Sequence, residues 1–197
     1  MKKKESNLVN MVVVLLVITL AAGLSLGYVN ELTLGPKAEA RLARKVAALQ
    51  SVLPEFSNNP VEEGVRIAWE EVRDSLDWYP ALEGENLVGV AVTGVSEKGY
   101  SGTVRLLVGF DPEGQIRNIA VLEQKETPGL GTKMKSESFL EQFRGQHPEQ
   151  FDLRVKKDGG QVDALAGATI STRAFSEAVR QAYEAFLAQA EPKSPNP

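Results

Sequence analysis

The chain has 197 residues, room for one ordinary domain with accessory segments, and its 43% hydrophobic and 24% charged content is that of a globular protein. It contains no cysteine, which excludes disulfides, thiolate metal sites, Fe–S ligation and a lipid-modified N-terminal cysteine. Net charge is −4, and without residues 1–30, which hold three Lys and one Glu, 19 basic and 25 acidic residues remain, a net of −6; so acidic a domain lacks the basic footprint that nucleic acid requires, and nucleic acid is excluded as a partner.

The first element is Leu8 to Val29, 22 residues without a charge. At 1.5 Å rise per residue it is long enough to cross a bilayer core of roughly 30 Å, and it exceeds the apolar stretch of about 7–15 residues in a signal peptide. Residues 1–30 are therefore expected to form a cytoplasmic N-terminus and an uncleaved membrane anchor, with cleavage after Ala21-Ala22-Gly23 as the alternative. Lys2, Lys3 and Lys4 precede the run, so the positive-inside rule exports the residues beyond it: a single-pass protein of the inner membrane with its domain on the periplasmic side.

Residues 31–84 read as a helical and β lead-in. Gly35-Pro36 is expected to break the helix, and Leu42, Val46, Leu49 and Leu53 mark a new amphipathic one that packs on the domain. Pro54 to Pro60 reads as a loop. From about Ile67 the pattern becomes β-rich, with strands at Leu87–Val95, Val104–Phe110 and Ile116–Leu122, the last two joined by the turn Asp111-Pro112-Glu113-Gly114. Trp69, Trp78 and Tyr79 fit a sheet core better than a stacking site for a ring. Helical periodicity returns at Ser136–Phe143 and Ser171–Gln189, and the proline-rich residues 191–197 read as a disordered tail. The fold class expected is α+β, an antiparallel sheet flanked by helices behind one transmembrane helix.

Chemistry concentrates in two short segments. Glu126-Thr127-Pro128-Gly129-Leu130-Gly131 has the Pro-Gly order of a type II turn, and its second glycine would allow a ligand close to the backbone. About forty residues on, Asp163-Ala164-Leu165-Ala166-Gly167-Ala168-Thr169-Ile170-Ser171-Thr172 leads into the helix carrying Phe175, Ala178, Val179, Ala182 and Phe186. Gly167 and Ala168 leave the Thr169 hydroxyl unobstructed, and free N–H groups with the positive dipole end at a helix start favour a phosphate. Ser171 or Thr172 as an ordinary N-cap is the structural alternative. His147, the one histidine, sits in the polar stretch Gly145-Gln146-His147-Pro148 with no second metal ligand three or four residues away, and supports neither a metal site nor a catalytic triad.

Together with Lys98-Gly99-Tyr100-Ser101-Gly102, these segments make residues 85–190 resemble the flavin-binding domain of the G subunit of Rnf-type ion-translocating oxidoreductases, related to the C subunit of the sodium-pumping NADH:quinone reductase. The resemblance implies that Thr169 carries FMN through a phosphoester, installed by a flavin transferase from FAD. It also implies that Gly167, Ala168, Ser171, Glu126, Thr127, Gly129, Leu130 and Gly131 lie near the flavin, and that Asp163 opens the transferase recognition sequence. Ala166 departs from the family, which has Ser or Thr there. The implied function is electron relay within a membrane complex of other membrane and peripheral subunits, driven by ferredoxin–NAD electron transfer and moving Na⁺ or H⁺, with little turnover by the isolated chain. The competing readings are a membrane-anchored binding or assembly module without a redox cofactor, and a flavin reductase acting on a soluble substrate.

Overall fold

The computed structural model describes residues 8–69 and 75–190. The expected tail at 191–197 and the three lysines ahead of the apolar run lie outside them. The chain divides into two compact units, Met1–Ala43 and Arg44–Pro197.

Helix α1, Leu8–Val52, dominates the first unit. It is the one helix among the described residues long and apolar enough to cross a membrane, with a mean hydropathy of 2.5 in its most apolar stretch and none of that stretch buried. The expected break at Gly35-Pro36 is absent, and Pro36 lies inside the helix. A proline deletes one i→i−4 bond and crowds the carbonyl four residues earlier, but the strong helix formers Glu39, Ala40, Arg41 and Leu42 beyond it propagate the helix.

In the second unit a short helix, α2 (Pro60–Glu63), precedes five strands: β1 (Val65–Ile67), β2 (Leu76–Glu83), β3 (Asn86–Gly99), β4 (Gly102–Phe110) and β5 (Ile116–Glu123). They form an antiparallel meander in chain order. The expected antiparallel sheet flanked by helices is thus present. Asp111 Oδ1 closes the β4–β5 turn by accepting from the N–H groups of Glu113 and Gln115, at 3.1 and 2.8 Å.

Alternation divides the sheet into two apolar faces. Val90, Val92, Leu106, Val108 and Phe110 join the larger core, and the intervening Ala91 and Leu107 join a smaller one with Tyr79 and Ala81. The larger face receives α4 (Thr169–Ala190) through Phe175, Ala178, Val179, Ala182 and Phe186, together with a one-turn helix, α3 (Glu137–Leu140). Helix α4 lies so close to β3 that a Cβ on Gly94 would stand 1.9 Å from the Ala178 carbonyl oxygen.

The smaller face receives the last turn of α1 and the residue after it. Leu49, Val52 and Leu53, the end of the expected stripe, are buried there, whereas Val46 remains 37% exposed. Gly109 permits this approach, since a Cβ there would lie 2.1 Å from the Val52 carbonyl oxygen. Lys45 Nζ donates to Tyr79 Oη at 2.7 Å and the phenol donates to Asp77 Oδ2 at 2.8 Å. Burial first, then Asp77, pushes the Tyr79 phenol well above its ordinary value, and the hydroxyl stays protonated as a donor.

Candidate functional site

Both motif segments fold as tight turns and meet. The Leu130 N–H bonds the Thr127 carbonyl at 3.2 Å and Gly129 has φ +77°, a type II turn with proline presetting its first corner. Thr132 Oγ1 braces it by accepting from the Gly129 N–H at 3.0 Å. In the second segment the Ala168 N–H bonds the Leu165 carbonyl at 2.9 Å, Gly167 has φ +74°, and the Thr172 N–H to Ala168 carbonyl bond at 3.0 Å is the first of α4. The N–H groups of Thr169, Ile170 and Ser171 precede that bond and have no intrahelical acceptor.

One buried carboxylate joins these turns to the β3–β4 hairpin. Glu126 is 5% exposed; its Oε2 accepts from Ser171 Oγ at 2.8 Å and its Oε1 from the Ser101 N–H at 3.2 Å. The positive end of α4 favours a carboxylate in this position. Glycines make the room: a Cβ on Gly131 would lie 2.6 Å from Glu126 Cβ and 2.8 Å from Ser171 Oγ, and one on Gly99 2.7 Å from Glu126 Oε1. The second glycine of the turn, expected to allow a ligand close to the backbone, lines the cleft, and its missing side chain also leaves room for Glu126 and Ser171.

Around this junction opens a cleft of about 570 Å³. Its walls include Glu126, Thr127, Leu130 and Gly131 from the first segment and Gly167, Ala168, Thr169 and Ser171 from the second. Gly129 stands at the exposed tip of its turn and Asp163 is exposed and paired with Lys156 at 2.7 Å, both off the cleft wall. Of the three hydroxyls at the start of α4, two are engaged. Ser171 holds Glu126, and Thr172 donates to the Ala168 carbonyl at 3.0 Å while accepting from the Leu165 N–H at 3.1 Å. Neither is the N-cap; both lie inside the first turn, because the helix begins at Thr169 and not at Ser171. The Thr169 hydroxyl makes no hydrogen bond among the described residues, and its residue is half-buried on the cleft wall.

Tyr100, Lys157 and Ile170 complete the wall and were not singled out from the sequence as site residues. Tyr100 is 69% exposed; its signal was an aromatic held between two glycines at a hairpin. Lys157 reaches the cleft only through folding. Trp69 and Trp78 pack against the larger core and Tyr79 within the smaller one, all away from the cleft. His147 is half-buried: its ring meets Tyr183 edge-on at 5.8 Å and Nε2 lies 3.1 Å from the Glu113 carbonyl, because the preceding turn folds back onto the β4–β5 loop. Among the described residues no group of three His, Cys, Asp or Glu side chains could hold a metal ion.

Residues 99–184 match the FMN-binding domain family, a span running from the β3–β4 hairpin through the cleft into α4. The chain is 34% identical over 171 residues to the G subunit of the ion-translocating oxidoreductase complex of Yersinia pestis, covering 82% of this chain and 81% of that protein. It belongs to the G subunit family of ion-translocating oxidoreductase complexes. The Cronobacter sakazakii G subunit is 34% identical over 73% of each chain, and the G subunit of the proton-translocating ferredoxin:NAD(+) oxidoreductase complex of Clostridium ljungdahlii is 32% identical over 58% of this chain and 62% of its own. The crystal structure of Shewanella oneidensis NqrC is similar at 19% identity and a TM-score of 0.48, covering 72% of this chain and 70% of that one. The FMN-binding domain match takes in both motif segments and every residue of the cleft wall.

Proposed function

We propose that the chain relays electrons within an ion-translocating oxidoreductase complex through an FMN esterified to Thr169. The observation that carries the reading is the Thr169 hydroxyl, without a hydrogen bond among the described residues and on the cleft wall, while its two neighbours are engaged. The residues fit the group. A volume of about 570 Å³ lies within the range of cofactor clefts, roughly 300–1,000 Å³. Three N–H groups without an intrahelical acceptor and the dipole of a 22-residue helix suit a phosphate beside Thr169. Leu130, Ile170 and the Tyr100 ring supply apolar surface for a flat heterocycle, and Gly167 adds no side chain.

Bound FMN would supply a carrier that takes two electrons and returns them singly, linking two-electron and one-electron partners. The chain's own task is to hold and orient, which suits a cleft built on hydrogen-bonded turns. In attachment, Thr169 Oγ1 bonds to the flavin-side phosphorus of FAD, the pyrophosphate bond breaks, AMP departs, and the hydroxyl proton passes to base. A flavin transferase would perform the step, with exposed Asp163 at the opening of its recognition sequence. We place the anchor in the inner membrane, the domain on the periplasmic side, and the other membrane and peripheral subunits of the complex as its partners. Co-expression with a flavin transferase followed by a denaturing gel tests the reading: flavin fluorescence on wild type and none on Thr169→Val is expected. A dark wild-type band would leave the membrane-anchored binding or assembly module in its place.

A further inference from the structure

The short 3-10 turn Lys156–Asp158 ends in Gly159, φ +86°. The loop around it is pinned by the Lys156 N–H to Val162 carbonyl bond at 2.9 Å and the Val162 N–H to Arg154 carbonyl bond at 3.0 Å. Gly160 presses on Arg154 so closely that a Cβ would sit 2.0 Å from its carbonyl oxygen. On either side of Lys157 the charges are spent. Lys156 pairs with Asp163 at 2.7 Å, and Asp158 accepts a two-pronged bond from Arg173 of α4 at 2.7 and 2.8 Å. Lys157 itself lines the cleft and pairs with no carboxylate among the described residues. The other charged side chain of the wall, Glu126, has both oxygens engaged. A backbone fixed from both sides thus presents to the cleft an ammonium in no ion pair among the described residues, its neighbour Asp158 being bonded to Arg173 while feeling the lysine's charge, and the cleft's other electrostatic feature is the positive end of α4. Both attract an anion.

We infer that Lys157 is the binding residue for the phosphate delivered to Thr169: its ammonium holds the pyrophosphate of the flavin donor against the hydroxyl and then neutralises the phosphodiester. This rests on the reading of Thr169 as acceptor. A lysine offers a point charge with three rotatable donors, which suits a group whose oxygens rearrange as one P–O bond breaks and another forms.

The test uses the full-length membrane protein co-expressed with a flavin transferase, following the fraction that gains flavin mass over time. Wild type is compared with Lys157→Gln, Lys157→Arg and, as a surface control off the cleft, Lys135→Gln. Loss of a charge-assisted contact predicts flavin uptake about tenfold slower or more in Lys157→Gln, near wild type in Lys157→Arg, and unchanged in Lys135→Gln. In the loaded fraction, the flavin reduction potential should be the same in all four. Uptake by Lys157→Gln at the wild-type rate, with wild type loading normally, overturns this inference alone. A potential displaced in Lys157→Gln with uptake unimpaired also overturns it, since the ammonium would then face the ring. A wild type that takes up no flavin overturns the Thr169 reading and this inference together.

Discussion

Ser171 Oγ donates to Glu126 Oε2 at 2.8 Å inside the protein, joining residues 45 positions apart. That bond ties the first turn of α4 to the Thr127–Leu130 turn, and the same carboxylate reaches the Ser101 N–H of the hairpin. Glu126→Ala removes the acceptor of one buried donor, Ser171 Oγ, and of the part-buried Ser101 N–H, at a cost of about 2 kcal/mol. A melting temperature lower by roughly 5 °C is expected, with a smaller fall for Ser171→Ala. The two effects should not add, because both variants delete the same bond. Additive losses in thermal melts would show that the pair is not coupled.

Helix α4 has no spare room at Gly94. Gly94→Ala drives a methyl into the Ala178 carbonyl, where overpacking costs about 3 kcal/mol or more, since backbone must move. Gly84→Ala is the comparison: its φ of +65° is strained for alanine, but nothing lies within 4 Å of the new Cβ, so about 1 kcal/mol is expected. Equal denaturant midpoints for the two variants would contradict this packing of α4 on β3.

Acid should weaken the fold through carboxylates held low by cationic partners. The Arg154 side chain, then its backbone N–H, lowers Asp152 from 3.8 to about 2, and Arg173 lowers Asp158. For Glu177 burial works upward, but bonds from Lys98 and Ser96 outweigh it and the net shift is downward. Each depressed group contributes stability that is complete above its unfolded value and is lost as pH falls through the folded one. The melting temperature should therefore be level from about pH 7 to 5 and fall between about pH 4 and 2. Molar salt should shrink the fall, because the Arg154–Asp152 and Arg173–Asp158 pairs are accessible to solvent. A melting temperature that rises on acidification would refute this assignment of the pairs.

The uncharged run behind three lysines predicts that residues 31–197 face the periplasm. Protease added to intact spheroplasts should degrade the domain. Protection until lysis would reverse the orientation.

How much was legible in the sequence depends on how local each signal is. Alternation at Val104–Phe110 marks a strand without reference to any partner, and Pro128-Gly129 encodes its own turn, so β4 and the positive φ at Gly129 were legible. At Gly131 the sequence pointed to room beside the backbone but not to Glu126 and Ser171, the latter forty residues away in sequence, whose clearance exists only once both segments are folded. Lys157 carried no signal for the same reason: a lysine beside Lys156 looks like any surface residue until the loop pins it at the cleft. Pro36 misled in the other direction, since the rule that proline ends helices is weaker than the helix-forming residues flanking it here.

The central claim is that Thr169 carries the flavin, and intact mass spectrometry after co-expression with a flavin transferase tests it most directly. Wild type should gain one FMN less water, about 438 Da, and after digestion the gain should lie on the peptide containing Thr169. Thr169→Val, which keeps the shape and removes the hydroxyl, should gain nothing while melting like wild type. Addition of that mass to Thr169→Val, or its absence from wild type, would contradict the account.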